Sequence, residues 1–362
     1  MVNYQEAVDS CIDCKKCWDV CPVTNVEGEG YTPQGKIQLL SKVESGETLE
    51  KKEFNNIYLS TRCGACDDVC PVNIPIKDII QYERHLLAEQ NREPDKTKDI
   101  VNNILVHNNP GGKDNSRRFD WITDDLEFSE DSEIGYMAGC WISYAQPEIA
   151  RSTIRILNSA GIKPKILEEE KCCGIFLIDN GHFDEMKNHA KNYVDYIESI
   201  GIEKLIVSCP GCYKTIKESY TELYREPYFE VVPSIELFDK LIKKGNIQPK
   251  KLDLSVPLKD SCHLKNQIDT PRNILKNIGI KVIEIFDKQV ICCGAPAGLK
   301  PNFPQTSSDI AGLSLEKSND VSNLMIAYCP FCIYHMKSVN NSNLKIKDIS
   351  QLLEESVLEN KN

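Results

Sequence analysis

The chain has 362 residues, of which 41% are hydrophobic and 27% are charged, an ordinary composition for a globular protein of two or three domains. The formal net charge of -11 argues against a nucleic-acid-binding surface, because phosphate contacts depend on clustered lysines and arginines. No apolar run is long enough to span a membrane and the N-terminus lacks the pattern of a signal peptide. We therefore expect a cytoplasmic protein with no direct membrane insertion, attached to a membrane only through a partner.

Cysteine is the unusual part of the composition. Seventeen cysteines are too many for a reduced protein that only packs them, and an odd number fits a disulfide framework poorly. Thiolates select soft metals, so the candidates are zinc, copper(I) and iron-sulfur clusters. The spacing of the cysteines decides among them.

The first cysteine groups, CIDCKKCWDVCP and RCGACDDVCP, have the pattern of a bacterial two-cluster ferredoxin. In that pattern three closely spaced cysteines bind one cluster and the cysteine before proline reaches the other. A zinc site needs only two CxxC pairs, so the longer run does not favour zinc. The pattern predicts a 4Fe-4S cubane held by Cys11, Cys14, Cys17 and Cys70.

The second ferredoxin-type cluster has three predicted cysteine ligands, Cys21, Cys63 and Cys66. Ser60 stands three residues before Cys63, where the motif would place its first cysteine. Three possibilities follow for the fourth iron. It is bound by the hydroxyl of Ser60, it is bound by another oxygen or nitrogen ligand, or it is missing. The sequence thus leaves open a 4Fe-4S cluster with one non-thiolate ligand and a 3Fe-4S cluster. It also leaves open that Ser60 only caps the segment before Cys63.

Helices are expected around these cysteine loops. The segments TPQGKIQLLSKVESGE and LEKKEFNNIYLS carry apolar residues at helical spacing and are separated at Ser45-Gly46, so they predict two helices. IPIKDIIQYERHLLAEQ predicts a third, and HNNPGGKDNSRRFDW has the composition of a linker. We predict an α-helical ferredoxin-type domain over 1–110 and a linker over 111–132.

Beyond the linker the cysteines form an internal repeat, and we call each copy a cassette. Each cassette has a lone cysteine, a Cys-Cys-Gly triplet and a Cys-Pro-x-Cys motif. In both copies 36 residues separate the triplet from the last motif, and the lone cysteine precedes the triplet by 32 and 30 residues. This agreement indicates a duplicated unit, and we place the two copies at 133–245 and 250–358.

The repeated part alternates apolar runs with amphipathic segments. EIGYMAG, KPKILEE, KLIVSC and KVIEIF predict strands, whereas QPEIARSTIRILNSAG and YKTIKESYTELYRE predict helices. This alternation predicts two α/β domains with largely parallel sheets, whose ligands lie beyond the carboxyl ends of the strands. Gly174 and Gly294 allow close backbone approach, and Pro210 and Pro330 are placed to begin helices with free N–H groups. A thioredoxin-like redox pair is the alternative for each CPxC, but its link to a distant triplet does not favour it.

Two such cassettes after a two-cluster module resemble the catalytic subunit of heterodisulfide reductase in its fused form, with tandem CCG domains. The resemblance covers nearly the whole chain, including NNPGGKDNSRRFDW, and extends to iron-sulfur subunits of lactate, glycolate and glycerol-3-phosphate dehydrogenases. It implies a noncubane 4Fe-4S cluster in each cassette. The implied ligands are Cys140, Cys172, Cys173, Cys209 and Cys212 in the first cassette, and Cys262, Cys292, Cys293, Cys329 and Cys332 in the second.

This sequence departs from the family pattern at two places. One is Ser60. The other is CCGAPAG, where the family more often has a run of glycines, and Ala295 and Pro296 are expected to stiffen this loop. The second departure bears on the substrate and leaves the cluster ligands intact.

The resemblance implies reduction of the mixed disulfide of coenzyme M and coenzyme B at two cassettes related by a pseudo-twofold axis. Two other hypotheses remain: an electron carrier in a flavin-dependent hydroxyacid or glycerol-3-phosphate dehydrogenase, and an electron-delivery subunit of a larger redox assembly. The chain has no GxGxxG fingerprint, so we expect a flavoprotein or membrane cytochrome as partner. His263, beside Cys262, is the candidate proton donor, and His182 is a weaker one. His263 could instead only support a ligand by hydrogen bonding.

Overall fold

The N-terminal part of the chain folds into short helices. The computed structural model describes residues 3–358. Before residue 134 the helices are α1 (Tyr4–Asp9), α2 (Lys16–Asp19), α3 (Pro22–Glu27), α4 (Pro33–Ile37), α5 (Leu40–Glu44), α6 (Lys51–Tyr58), α7 (Ala65–Asp68), α8 (Ile76–Glu89) and α9 (Asp95–His107), followed by a 3-10 turn at Asn115–Arg117.

Local sequence explains where several of these helices begin. Lys15 and Gly64 have left-handed backbones, with φ of 60° and 78°, and reverse the chain before α2 and α7. Pro22 and Pro33 occupy the first turns of α3 and α4. The Thr32 hydroxyl accepts the backbone N–H of Gly35 at 3.0 Å and caps α4. These turns aim the cysteine loops back toward the helices.

The predicted helix before Ser45-Gly46 is wrong in one respect, because the structure divides it into α4 and α5. At the division the backbone N of Leu39 donates to the Lys36 carbonyl at 3.0 Å, so the turn tightens from i−4 to i−3 bonding. The division leaves Ile37 and Leu40 buried in the same core cluster. The helices predicted over the next two segments are confirmed as α6 and α8.

The first cassette alternates strands and helices. Its elements are β1 (Ile134–Met137), α10 (Cys140–Ala145), α11 (Pro147–Ser159), β2 (Lys165–Ile166), α12 (Ile175–Asp179), α13 (Phe183–Ser199), β3 (Lys204–Val207), α14 (Pro210–Lys214), a π-helical turn (Thr215–Ser219), α15 (Tyr220–Leu223), β4 (Glu230–Pro233) and α16 (Ser234–Lys243).

The second cassette repeats this alternation. Its elements are β5 (Ser255–Lys259), a 3-10 helix (Cys262–Gln267), α17 (Asp269–Asn277), β6 (Lys281–Ile283), α18 (Leu299–Asn302), α19 (Pro304–Asn319), β7 (Leu324–Ala327), α20 (Pro330–Val339), β8 (Lys345–Asp348) and α21 (Ile349–Leu358).

The strands form two parallel four-stranded sheets with the same connectivity. The first has the order β2-β1-β3-β4 and the second β6-β5-β7-β8. Gly135 pairs with Leu205 at the centre of the first sheet, and Leu258 pairs with Ile326 in the second. The central strands are buried, as parallel strands covered on both faces require. The predicted mixture of a helical module and two α/β repeats with parallel sheets is confirmed.

The chain divides into two compact units. Unit 1 contains residues up to 102 together with 176–185 and 292–313, and unit 2 contains the remaining residues, including both sheets. The domain limits predicted from the sequence stay a prediction. Two segments of the repeated part therefore pack with the N-terminal helices.

The core of unit 1 lies directly behind the cysteine loops. One apolar cluster contains Val8, Ile37 and Ile79, with Cys11 and Cys70 packed against it. A second contains Cys21, Val23, Leu59, Leu299 and Ile310. This second cluster joins the ferredoxin-type helices to the segment 292–313.

Candidate iron-sulfur sites

The cysteines predicted for the first ferredoxin-type cluster line one open pocket of about 380 Å³, which we call the first pocket. Lys15 and Lys16 lie at its edge and are exposed. The backbone N of Ile74 donates to the Cys70 sulfur at 3.3 Å. The cysteines brought together here are Cys11, Cys14, Cys17 and Cys70, which come from the two separate sequence groups.

The residues predicted for the other ferredoxin-type cluster line a second open pocket of about 380 Å³. We call it the second pocket. The Ser60 hydroxyl accepts the backbone N–H of Arg62 at 3.2 Å. This bond is a local cap before Cys63, and the role of Ser60 as a ligand stays a prediction. The predicted residues brought together here are Cys21, Ser60, Cys63 and Cys66.

The polar lining of the second pocket fits an anionic group. The ammonium nitrogen of Lys36 is buried and has no hydrogen-bond partner among the described residues. Burial raises the pKa of the Cys66 thiol well above its ordinary value. Because a metal binds the thiolate, occupation of such a site is coupled to proton release. A cluster with thiolate ligands would supply the anionic partner that the Lys36 ammonium lacks.

Arg84 anchors the backbone behind the second pocket. Its fully buried guanidinium donates to the carbonyls of Ser60 at 3.0 Å and Ala297 at 2.8 Å, and to those of Ile57 and Tyr58 at 3.2 Å each. Burial lowers the pKa of Arg84 to about 10. One side chain therefore fixes both the segment before Cys63 and the loop that follows the second triplet.

The second triplet begins beside the second pocket. The Cys63 thiol interacts with the Cys292 thiol within unit 1, and this interaction and burial raise the pKa of Cys63. Gly294 has a φ of 85°, and a Cβ there would lie 2.6 Å from the Ser307 carbonyl oxygen, so this position requires glycine. Ala295 and Ala297 are buried. The expected stiff loop is therefore a packed and anchored one.

The five cysteines of the first cassette lie together in unit 2 as an unbroken series of thiol contacts. Cys140 and Cys209 begin or cap helices that follow β1 and β3, as the parallel-sheet rule predicts. Hydrogen bonds with the Cys172 and Cys212 thiols lower the pKa of Cys173 to about 5. The contacts run from Cys140 to Cys172, Cys173, Cys212 and Cys209.

A buried ion pair positions Cys140. The guanidinium of Arg118 lies 3.9 Å from the Cys140 sulfur and 3.2 Å from a Glu170 oxygen. The Glu170 carboxylate also accepts the backbone N–H groups of Ala138 at 2.9 Å and Gly139 at 3.0 Å. Burial opposes the charge of Arg118, but the charges of Cys140 and Glu170 raise its pKa above the ordinary value.

Sequence reasoning missed this ion pair. Arg118 falls in the segment read as a linker, yet it is buried, and so is Trp121. The sequence did contain a sign that this segment is buried, because Arg and Trp are an unusual combination in a solvated linker. The triplet backbone is held in the same region, because the Tyr220 hydroxyl donates to the Cys173 carbonyl at 3.0 Å.

The five cysteines predicted for the second cassette are divided between the units. Cys292 and Cys293 belong to unit 1, whereas Cys262, Cys329 and Cys332 belong to unit 2. Cys262 begins the 3-10 helix after β5, and Cys329 caps α20 after β7. Their positions on the second sheet repeat those of the first cassette.

Within unit 2 the two cassettes meet at their CPxC motifs. Interactions with the thiols of Cys212 and Cys329 lower the pKa of Cys209. Phe331, inside the second CPxC motif, stacks on Trp141 with ring centres 4.6 Å apart, and Trp141 follows Cys140 in the chain. The CPxC loops of both cassettes therefore converge in this unit.

His263 lies beside the first cassette. Its Nδ1 is 3.4 Å from the point that a Cβ on Gly211 would occupy, and Gly211 lies inside the first CPxC motif. Its role as proton donor stays a prediction. His182 instead pairs with Glu93 at 2.8 Å in unit 1.

The described residues 3–358 contain no group of three His, Cys, Asp or Glu placed to hold a single metal ion. A cluster distributes its cysteine ligands over several irons, so they need not converge on one ion. Among the described helices, none is long and apolar enough to cross a bilayer. All seventeen cysteines are free of disulfides.

Comparison with known proteins identifies the class. Residues 7–74 match the 4Fe-4S dicluster domain, and residues 134–217 and 257–337 each match the cysteine-rich domain. The chain is therefore an iron-sulfur oxidoreductase that belongs to the proteins combining a 4Fe-4S dicluster domain with a repeated cysteine-rich domain.

The resemblance to heterodisulfide reductase is also confirmed. The chain is 28% identical to a subunit of the dihydromethanophenazine:CoB–CoM heterodisulfide reductase of Methanosarcina mazei, over 97% of this chain and 94% of that protein. It is 26% identical to the EtfAB:quinone oxidoreductase of Syntrophomonas wolfei, over 90% of this chain and 54% of that protein. A hypothetical protein from Helicobacter pylori shares the fold, with a TM-score of 0.64 and 11% identity over 100% of this chain and 74% of that one.

Proposed function

We propose that the chain is the disulfide-cleaving subunit of an iron-sulfur reductase, acting on a thiol–thiol heterodisulfide of the CoM–S–S–CoB type. The observation that carries this proposal is the approach of the two cassettes within unit 2, where Phe331 stacks on Trp141 with ring centres 4.6 Å apart and the Cys209 thiol interacts with the Cys329 thiol. A chain that only conducted electrons would not require two five-cysteine sites side by side. The name of the Methanosarcina relative supports this substrate class.

The reaction balances as one disulfide, two electrons and two protons giving two thiols. Bound to the cysteines, noncubane 4Fe-4S clusters would supply single electrons and iron with affinity for sulfur. The chain contributes the pairing, because adjacent sites allow the two sulfurs of one disulfide to go to different cassettes. We propose a pseudo-twofold relation between the cassettes, supported by the identical strand order of the two sheets.

Residues around the cysteines have supporting roles in this proposal. Arg118 and Glu170 hold Cys140 and the turn that precedes it. His263 is the proposed proton donor, because its ring lies against the first CPxC motif, where a released thiolate would need a proton. Both roles concern the chain's own side chains.

Electrons are proposed to enter through the ferredoxin-type module. The contact between Cys63 and Cys292 brings the second pocket next to the second triplet within unit 1. In this proposal a 4Fe-4S cubane occupies the first pocket, and a 4Fe-4S or 3Fe-4S cluster occupies the second. The electron donor is a partner subunit, a flavoprotein or a membrane cytochrome, through which any membrane attachment would occur.

The second candidate function is electron transfer without a substrate. In this case the chain serves a flavin-dependent hydroxyacid or glycerol-3-phosphate dehydrogenase, or delivers electrons within a larger redox assembly. The likeness to an EtfAB:quinone oxidoreductase favours this alternative. In this alternative, added thiols do not bind to the two cassettes or change their spectroscopic signals.

Anaerobic electron paramagnetic resonance of the purified chain, with iron counted, distinguishes the two functions. The chain is oxidised with and without the thiol forms of coenzyme M and coenzyme B. The disulfide reductase predicts a new signal with one thiol, abolished in Cys329→Ala and retained in Cys14→Ala. Iron for four clusters with no thiol-dependent signal contradicts it and favours the electron carrier.

A further inference from the structure

Lys36 is a buried cation in the wall of the second pocket. Its side chain is in α4 and the residue is 1% exposed. The residue lines the pocket together with Cys21, Cys63 and Cys66. Lysine is almost never fully buried unless it is paired, so this position calls for an anionic partner.

The nearby acidic residue does not provide that partner. Glu83 is 0% exposed, and neither its carboxylate oxygens nor the Lys36 nitrogen has a hydrogen-bond partner among the described residues. The two neighbouring arginines are bonded elsewhere, because Arg84 donates to backbone carbonyls and Arg62 donates to the Asp179 carboxylate at 2.7 Å. The ammonium of Lys36 is therefore not neutralised by a direct bond to protein.

The strongest attractions on Lys36 come from the pocket itself. Burial lowers the pKa of Lys36, and the neighbouring Cys21 and Cys66 thiolates oppose this shift more strongly than Glu83 does, so they favour the charged ammonium. Both are predicted ligands of the second ferredoxin-type cluster. In a buried site such an interaction is weakly screened, so a positive charge there stabilises the more negative, reduced state of whatever these thiolates hold.

We propose that Lys36 is the residue that sets the reduction potential of the second ferredoxin-type cluster, by placing an unpaired buried ammonium against its ligands. The inference rests on the proposed occupation of the second pocket by a cluster. It adds a buried lysine to the differences between the two pockets. With the ammonium present, the second cluster accepts an electron more readily and is suited to pass it to the neighbouring second triplet.

The test is a redox titration of the anaerobic full-length chain, followed by electron paramagnetic resonance. Lys36→Met removes the charge and keeps the length, and Lys36→Gln removes the charge and keeps a hydrogen-bond donor. Both are expected to lower the ratio of reduced to oxidised second cluster at least tenfold at a fixed potential, which is about 59 mV for one electron. Lys16→Met removes an exposed charge at the first pocket, and less than a twofold change in either cluster is expected.

Three results would overturn the proposal. The first is an unchanged potential in both neutral variants. The second is a native potential in Lys36→Gln alone, because the hydrogen bond and not the charge would then matter. The third is loss of a cluster's iron in both variants, which would make Lys36 a requirement for assembly. Thiol-dependent signals at the cassettes are recorded in the same samples, so the failure of the disulfide function is seen separately.

Discussion

The two ferredoxin-type pockets are alike in size and differ in how charge surrounds them. The first is lined by four cysteines, and its lysines, Lys15 and Lys16, are exposed. The second has three cysteines and Ser60, and of its two lysines Lys36 is buried while Lys77 is partly exposed. Because solvent screens the exposed Lys15 and Lys16 and does not screen the buried Lys36, the same motif gives two different electrostatic environments. Duplicated ligand spacing therefore does not imply duplicated redox properties.

The largest expected effect comes from removing one cysteine from each pocket. Cys63→Ala leaves the second pocket with two thiolates, and we expect it to lose a whole cluster, about three or four iron atoms per chain. Cys14→Ala leaves three thiolates in the first pocket, the number that the second pocket has naturally, and we expect that cluster to persist. Iron analysis of the anaerobic variants measures the difference.

Equal iron loss in the two variants would contradict this comparison. It would mean that the second pocket obtains a fourth strong ligand, so that both pockets depend on every cysteine. Cys14 is exposed, so its replacement is not expected to disturb the core of unit 1.

A stability effect is expected at Arg84, which lies behind the second pocket. Arg84→Met leaves the buried carbonyls of Ser60 and Ala297 without their donor, and each unsatisfied group costs about 1–3 kcal/mol. We expect the free energy of unfolding to fall by about 3 kcal/mol or more, measured by urea denaturation with circular dichroism. Arg92→Met, whose guanidinium bonds are exposed, is the matched control with an expected change below about 0.5 kcal/mol. Similar changes in both variants would show that Arg84 is not an anchor.

The smallest expected effect is at Ser60. Ser60→Cys completes a four-cysteine set in the second pocket, and we expect the spectrum of the second cluster to become that of a cubane with four thiolates. Ser60→Ala is the control, because it removes the hydroxyl and adds no thiol. If the spectrum of the second cluster is identical in all three proteins, Ser60 neither binds iron nor lies beside the iron that has no cysteine ligand.

Sequence alone predicted the parts of this molecule that repeat or follow a period. The cysteine spacing grouped the residues that line the two pockets, and the alternation of apolar runs predicted the parallel sheets. The tightened turn at Leu39 was missed because it leaves the apolar spacing of α4 and α5 almost unchanged.

The buried charged residues could not be predicted, and the reason is physical. Lys36, Arg84 and Arg118 follow no period, and their burial depends on partners far away in the chain, such as Ala297 for Arg84. The segment 292–313 likewise belongs to unit 1 through apolar contacts of Leu299 and Ile310, which no local sequence pattern predicts. Such non-local contacts require the folded structure.

Cleavage of a disulfide by this chain is tested most directly by counting the thiols that are released. The chain is reduced chemically, freed of excess reductant, and mixed anaerobically with the heterodisulfide of coenzyme M and coenzyme B in the absence of any partner. If the paired cassettes cleave the disulfide, two new small-molecule thiols appear for every two electrons withdrawn from the chain, and none appear with Cys329→Ala. Fully reduced chains that keep their iron and their electrons, and release no thiol, would contradict it.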